Sequence, residues 1–359
     1  MAKVHTDEQG RADIKSLSLD QLKLEMKDMG KASYRALQVY KWIWQKGVSD
    51  FMDMSNIAKD TRRALAERFY ISELKSHDVL HSSDGTRKFI WECEDGAHIE
   101  SVLIPDGERM TLCMSTQVGC AMACTFCLTG DMGLIRQLRP SEIANQPFQI
   151  GRTLPEGTRI TNLVLMGMGE PLHNLKNLVT ALEIALDEQA LNFSHRKITV
   201  STVGMVNKLD DLAEALPVNL AISLNATTDA QRDSVMPINK RYNIEALIEK
   251  CKTVKLPPGK RITFEYVMMR GFNDDMADAA RLAELLRGVK AKVNLIPYNT
   301  NPERGIERPT DERVEAFQEY LVGRGISTSV RITRGMDISA ACGQLGKAGD
   351  GPGRPGKSA

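Results

Sequence analysis

No run of about eighteen apolar residues occurs anywhere in the 359-residue chain, so no transmembrane helix is expected. The first residues, MAKVHTDEQGRADIKSLSL, lack the apolar core of a secretory signal. Both absences predict a cytoplasmic protein in a reducing compartment, where its seven cysteines do not serve as structural disulfides. Neither sign of charge is in excess. Lys and Arg number 47 and Asp and Glu 46, which excludes a polycation of the histone kind but leaves room for a local basic face. No repeat of fixed period is present. What remains is an ordinary globular balance, 42% hydrophobic and 26% charged, enough for a sizeable core in about two domains.

Residues 1–78 read as a helical accessory domain with no convincing strand. Leu22, Met26 and Met29, then Leu37, Tyr40, Ile43 and Trp44, recur at helical spacing, and Gly30 and Gly47 mark helix ends. Lys31, Arg35, Lys41, Lys46, Arg62 and Arg63 are interleaved with Tyr34, Tyr40, Trp42 and Trp44. That mixture suits either a solvated helical bundle or an RNA-docking module. Two alternating runs around Glu94-Asp95-Gly96 predict a β-hairpin.

From Met110 onward strands and helices alternate. MTLCMST, RITNLVLMGMGEP, RKITVSTVG, VNLAISLNA, RITFEYVMM and AKVNLIPYN are strand candidates, followed by a last one, STSVRITRG. Helical patterns lie between them, so the fold class is α/β with a parallel sheet. The expectation for residues 79–345 is a partial (βα)6 TIM-like barrel with functional residues at the C-terminal strand ends. Residues 346–359, rich in Gly, Pro and Lys, read as a disordered tail.

Three of the seven cysteines stand within eight residues, Cys120, Cys124 and Cys127, in C-x3-C-x2-C spacing after a predicted strand. Iron–sulfur cubes are held by thiolates and need four ligands, so three leave one iron open. A zinc site would want a fourth nearby ligand, and His173 and His195 lie on other units. With its aromatic Phe126 before the last cysteine, the segment resembles the radical S-adenosylmethionine superfamily. There the open iron chelates the amino and carboxylate groups of S-adenosylmethionine. GMGEP, Gly167 to Pro171, resembles that superfamily's methionine-binding turn. CMSTQVGCAMACTFCLTG, SLNATTDAQRDSVMPINKRYNIE and VRITRGMDISAACGQL resemble one family within it, the dual-specificity RNA methyltransferases acting on carbon 2 of adenine. The likeness runs in order through residues 80–345.

That resemblance implies a [4Fe–4S] cluster, S-adenosylmethionine used twice per turnover, and an RNA substrate, 23S rRNA and also a tRNA anticodon loop. It implies an electron donor such as flavodoxin, and no membrane partner. Cys342 matches the thiolate that takes a methyl group from a first S-adenosylmethionine; a second, cleaved at the cluster, yields the radical that activates that methyl. Cys113 matches the thiol that resolves the resulting protein–RNA adduct by forming a disulfide with Cys342. Glu100 matches the general base for the ring proton. Gly169, Glu170, Ser201, Ser223, Leu224, Asn225 and Asn299 match cofactor-binding positions, although the family often has His at the place of Asn225. Cys93 and Cys251 read as small core residues. Two other readings stand beside this one: the sister activity at carbon 8 of adenine, and a zinc-stabilised RNA-binding module without catalysis.

Overall fold

Short runs of Val, Ile and Leu bounded by polar turns make the central sheet of the computed structural model, which describes residues 5–300 and 304–346. The N-terminal part contains β1 (Ala12–Asp13), α1 (Leu19–Asp28), α2 (Tyr34–Lys41), α3 (Lys59–Arg68) and β2 (Phe69–Tyr70). An antiparallel extension follows: β3 (Lys75–His81), β4 (Arg87–Glu92), β5 (His98–Asp106) and β6 (Arg109–Cys113). After β6 come β7 (Gln117–Gly119), α4 (Leu128–Asp131), β8 (Leu134–Gln137), α5 (Pro140–Arg152), β9 (Asn162–Leu165) and α6 (Leu175–Leu186). The chain continues through β10 (Ile198–Thr202), α7 (Leu209–Ala215), β11 (Asn219–Ser223), α8 (Asp229–Val235), α9 (Ile244–Thr253) and β12 (Ile262–Met268). It ends with α10 (Met276–Leu285), β13 (Ala291–Pro297), α11 (Asp311–Gly323) and β14 (Thr328–Val330).

Ten strands form one sheet in the order β14-β13-β12-β11-β10-β9-β6-β5-β4-β3. From β6 to β14 every neighbouring pair is parallel, and from β6 back to β3 every pair is antiparallel. Helices on the crossovers bury the outer face of the parallel part, which is why its strands read as near-continuous apolar runs. The predicted partial (βα)6 barrel with a hairpin extension is the fold observed. Its edges β14 and β3 do not pair. The segment after β14 reaches back to the β3–β4 turn instead, where Asp84 accepts from the Gly335 N–H at 2.9 Å and Ser82 donates to Asp337 at 2.6 Å.

Two sequence expectations need correction in the N-terminal part. Residues 1–78 were expected to hold no strand, yet β1 and β2 pair in parallel and β3 begins at Lys75, running across residue 78. The first two are two residues long, and β3 reads KSHDVLH with largely exposed side chains, so neither shows apolar alternation. Tyr40 and Trp44, grouped with the RNA-facing aromatics, are 1% and 3% exposed and belong to the core. Trp44 packs edge-on against Phe148 of α5 at 5.3 Å. Beside it the buried Lys15 donates to Asn145 of α5 at 2.9 Å, and Ser16 to Ser141. One continuous hydrophobic core joins the N-terminal helices to the sheet. The predicted tail, apart from Gly346, lies outside the described residues.

Candidate active site

The three clustered cysteines sit on the loop between β7 and α4. The loop closes through its own backbone: Cys120 N–H to Gly133 O at 2.8 Å, and Cys127 N–H to Cys124 O at 3.1 Å. Gly130 packs so closely that a Cβ there would stand 3.0 Å from Cys124 O. Arg304, on the outer side, donates to the carbonyls of Thr125 and Cys127 and pairs with Asp131. A wider depression of about 750 Å³ lies there, and its arginines Arg270 and Arg304 are already paired with Glu307 and Asp131.

On the inner side, Cys120, Cys124 and Cys127 line a cavity of about 160 Å³ together with Gly169, Glu170, Ser201, Ser223, Asn225, Asn299 and Cys342. Gly169, Glu170, Ser201, Ser223, Asn225 and Asn299 lie at or just past the C-terminal ends of β9, β10, β11 and β13, where a barrel site is built. Leu224, also predicted there, is fully buried and does not line the cavity. Its backbone does the positioning, donating to Glu265 O at 3.0 Å and accepting from Arg232 Nε at 3.1 Å. His173 and His195 stand away from the cavity, His173 against Gln117 and His195 against Pro217 O.

The GMGEP turn needs its glycines. Gly169 has φ +99°, and a Cβ would meet Gln117 Cβ at 2.5 Å, while a Cβ on Gly167 would stand 2.6 Å from Met114 O. Gln117 in turn accepts from the Glu170 N–H at 2.7 Å. The Glu170 carboxylate accepts from Leu172 N–H at 3.0 Å and from Val203 N–H at 2.9 Å. Burial nevertheless raises its pKa to about 7, opposed by hydrogen bonds from Thr202, Val203 and Leu172. Asn225 holds φ +57°, a conformation Asn tolerates better than most residues. Its Oδ1 accepts from Val267 N–H at 2.9 Å, and its Nδ2 lies 3.3 Å from Met236 Sδ.

The donor set fits an iron–sulfur cluster. Burial raises the pKa of all three thiols, that of Cys120 to about 12; neighbouring cysteines add to the rise at Cys120 and Cys124, whereas hydrogen bonds from Gly130 and Thr129 and the charge of Arg304 oppose it at Cys127. Three thiolates therefore need cationic metal to coexist there. Zinc, with Zn–S about 2.3 Å, would draw thiolates to roughly 4 Å apart. These three sulfurs do not all lie within 4.8 Å of one another; among the described residues the group that is so gathered is His77, Glu92 and His98. In that group Glu92 is already engaged by Lys75 at 3.0 and 3.1 Å and His77 is exposed, so it is an ion-paired surface patch.

Cys342 also lines a second, smaller cavity of about 60 Å³ with Cys113 and Arg331. It therefore stands on the wall shared by both cavities. Its carbonyl accepts from Asn299 Nδ2 at 3.0 Å, and the following Gly343 carbonyl accepts from Leu128 N–H at 2.8 Å. Both thiols are free, so the predicted Cys113–Cys342 disulfide is not present. Burial, then the neighbouring Cys342, push the Cys113 pKa up to about 12, while Arg331 opposes the rise. Cys342 and, more weakly, Glu265 and Cys113 hold the Arg331 guanidinium more firmly charged.

Glu100 lines neither cavity. Glu100 is 1% exposed, beside Lys88 at 3.6 Å. The β5–β6 register sets Val102 opposite Cys113, so Glu100, two residues earlier on β5, projects from the same sheet face as Cys113. Cys93 and Cys251 are buried in the core, as expected.

Three residues with a visible part in the site carried no assignment from the sequence. Arg232, fully buried on α8, donates to the carbonyls of Val203, Ser223 and Leu224, tying the ends of β10 and β11. Glu265 lines the larger cavity and accepts from Asn294 at 2.6 Å. A carboxylate inside the apolar run ITFEYVM was a usable signal, because a central parallel strand has no solvated face. Lys88 offered no such signal.

Comparison with known proteins adds three findings. The model of the radical SAM superfamily matches residues 114–283, and that of the ribosomal RNA large subunit methyltransferase N-terminal domain matches residues 12–71. The chain is 50% identical over 351 residues to the dual-specificity RNA methyltransferase RlmN of Anaeromyxobacter sp. (strain Fw109-5), covering 96% of this chain and 93% of that protein. It is 48% identical over 345 residues to the dual-specificity RNA methyltransferase RlmN 2 of Myxococcus xanthus (strain DK1622), covering 94% and 91%. A crystal structure of a radical SAM methyltransferase from Sphaerobacter thermophilus superposes with a TM-score of 0.87 at 42% identity, covering 93% of this chain and 98% of that one.

Proposed function

The chain belongs to the RlmN family of dual-specificity RNA methyltransferases, and from that premise we propose that it methylates carbon 2 of adenine in 23S rRNA and in tRNA anticodon loops. It is a radical S-adenosylmethionine enzyme. The observation that most supports this reading is the position of Cys342, on the wall between the cavity of the cluster cysteines and the smaller cavity of Cys113.

In this reading Cys120, Cys124 and Cys127 hold a [4Fe–4S] cluster, and the GMGEP turn with Ser201, Ser223, Asn225 and Asn299 holds S-adenosylmethionine. Bound there, with an electron from a donor of the flavodoxin kind, the pair supplies a radical able to remove hydrogen from an unactivated methyl group. Cys342 carries that methyl group, and two molecules of S-adenosylmethionine are consumed per turnover. Glu100 takes the ring proton of the protein–RNA adduct. Cys113 then releases the product by forming a transient disulfide with Cys342, a step its position in the same cavity favours. Arg331 supplies positive charge beside both sulfurs during the exchange.

The test is nucleoside mass spectrometry of 23S rRNA and tRNA from cells with and without the gene, with position resolved by fragmentation. Loss of 2-methyladenosine from both RNAs is the expected result. Loss of 8-methyladenosine instead would assign the sister chemistry.

A further inference from the structure

The loop that carries Cys342, Ser339-Ala340-Ala341-Cys342-Gly343-Gln344-Leu345-Gly346, is made largely of small residues. Its centre is held by Asn299 and Leu128, as described. Its two ends converge on one buried ion pair of the hairpin extension. Lys88 of β4 and Glu100 of β5 are 2% and 1% exposed, with Nζ 3.6 Å from Oε2. Lys88 Nζ donates to the Ser339 carbonyl at 3.3 Å, and the Gly346 N–H donates to Glu100 Oε1 at 3.2 Å. Both loop ends have left-handed backbone, φ +51° at Ser339 and φ +107° at Gly346. A serine adopts that conformation only where its surroundings impose it.

The register places this pair next to the sulfur chemistry. Lys88 lies opposite Val102, and Val102 lies opposite Cys113, so Lys88 and Cys113 flank one residue in a single row across β4, β5 and β6. Side chains in such a row share one face of the sheet. A contact from Lys88 to Ser339 therefore sets the loop over the row that bears Cys113. Stability is a poor reason for the pair, because apolar residues of similar volume usually serve a buried site as well or better. What a buried, hydrogen-bonded charge pair does supply is one defined geometry.

We infer that Lys88 is a positioning residue for the thiol steps: with Glu100 it clamps both ends of the 339–346 loop and holds Cys342 in register with Cys113. The inference rests on the reading of Cys342 as methyl carrier given above. It concerns order in the loop, not contact with the reacting atoms.

Hydrogen–deuterium exchange on the anaerobic, cluster-loaded full chain tests it, with Lys88→Met and Lys88→Arg beside the wild type. In Lys88→Met the peptide covering 336–346 should exchange roughly tenfold faster, while β4 and β5 keep their protection. Methylation kcat should fall about 100-fold, the effect of a displacement near 1 Å, with KM for RNA unchanged. Lys88→Arg, which keeps the charge and the donor, should restore both. Lys88→Gln serves as the second variant if Lys88→Met does not fold. Unchanged exchange in 336–346 would overturn the clamp, and so would an increase spread through β3 to β6, which would make Lys88 an ordinary support of the sheet. Glu100→Gln separates this proposal from the base assignment, since it keeps an oxygen for the Gly346 N–H. Loop protection with methylation lowered by about 10²–10⁴ supports both readings. Methylation at the wild-type rate would remove Glu100 as base and leave the clamp standing on the Lys88 result.

Discussion

Cys113 and Cys342 illustrate how much a single side chain's surroundings decide. As letters they are lone cysteines like Cys93 and Cys251. In the fold, two are packed in the core and two share a cavity with a guanidinium. If Cys342 carries the methyl group, Cys342→Ala should form no adduct with RNA. Cys113→Ala should add its methyl to adenine and then stall as a protein–RNA conjugate that survives a denaturing gel. Adduct in the first variant and none in the second would reverse the roles. Glu170 yields a pH prediction. Its pKa is raised by burial to about 7, so the carboxyl is neutral below that pH and ionised above it. The amino N–H groups of S-adenosylmethionine held at the GMGEP turn are hydrogen-bond donors that favour the ionised form. Affinity for S-adenosylmethionine should therefore weaken as pH falls below 7, by up to about tenfold per unit. Equilibrium dialysis of the cluster-loaded protein between pH 5.5 and 8 measures this, and Glu170→Gln should bind weakly with a flat profile.

At the scale of elements, α2 shows two chemically different faces. Val39 and Tyr40 are buried, whereas Tyr34 is 59% exposed with Arg35 stacked on its ring at 4.9 Å. Lys41 and Lys46 are exposed, and Trp42 is half-buried with its indole N–H donated to Asn56. This outer face retains part of the basic and aromatic mixture, although Tyr40 and Trp44 drop out of it. Replacing Tyr34, Arg35 and Lys41 together by Ala should weaken RNA binding without changing iron content or Tm by more than a few degrees. The loss should shrink as salt is raised, since phosphate contacts release counterions. Filter binding between 50 and 300 mM salt, about the range in which such contacts dominate, measures it. Unchanged affinity would return this face to a purely structural part.

Across the whole molecule, the N-terminal helices and the barrel are one packing unit. A chain beginning at residue 79 would sever β3, strip Trp44 from Phe148 and leave Asn145 of α5 without Lys15. Exposing that much buried apolar surface costs about 25 cal/mol per Å². Such a truncation should therefore be insoluble or lose cooperative unfolding, as thermal melts followed by near-ultraviolet circular dichroism would show. A monodisperse truncated protein with a native-like melt would make the segment an independent module.

Much of this was legible in the sequence, because periodicity and spacing are local. Apolar runs bounded by turns located the seven parallel strands, Glu94-Asp95-Gly96 located the hairpin, and C-x3-C-x2-C located the cluster loop. The sequence motifs that resemble known methyltransferases named the cofactor positions, and nearly all of them line one cavity. Strands β1, β2 and β3 were missed, because two residues show no period and an edge strand of polar residues shows no apolar face. Whether Trp44 faces RNA or the core depends on α5, about a hundred residues away, and no pattern within the helix reports that. Likewise the seating of the Cys342 loop on Lys88 and Glu100 joins segments some 250 residues apart. Contacts of that span are set by how the sheet closes on its C-terminal segment, so the sequence determined which groups this protein has for its chemistry, and only the tertiary structure decided which of them meet.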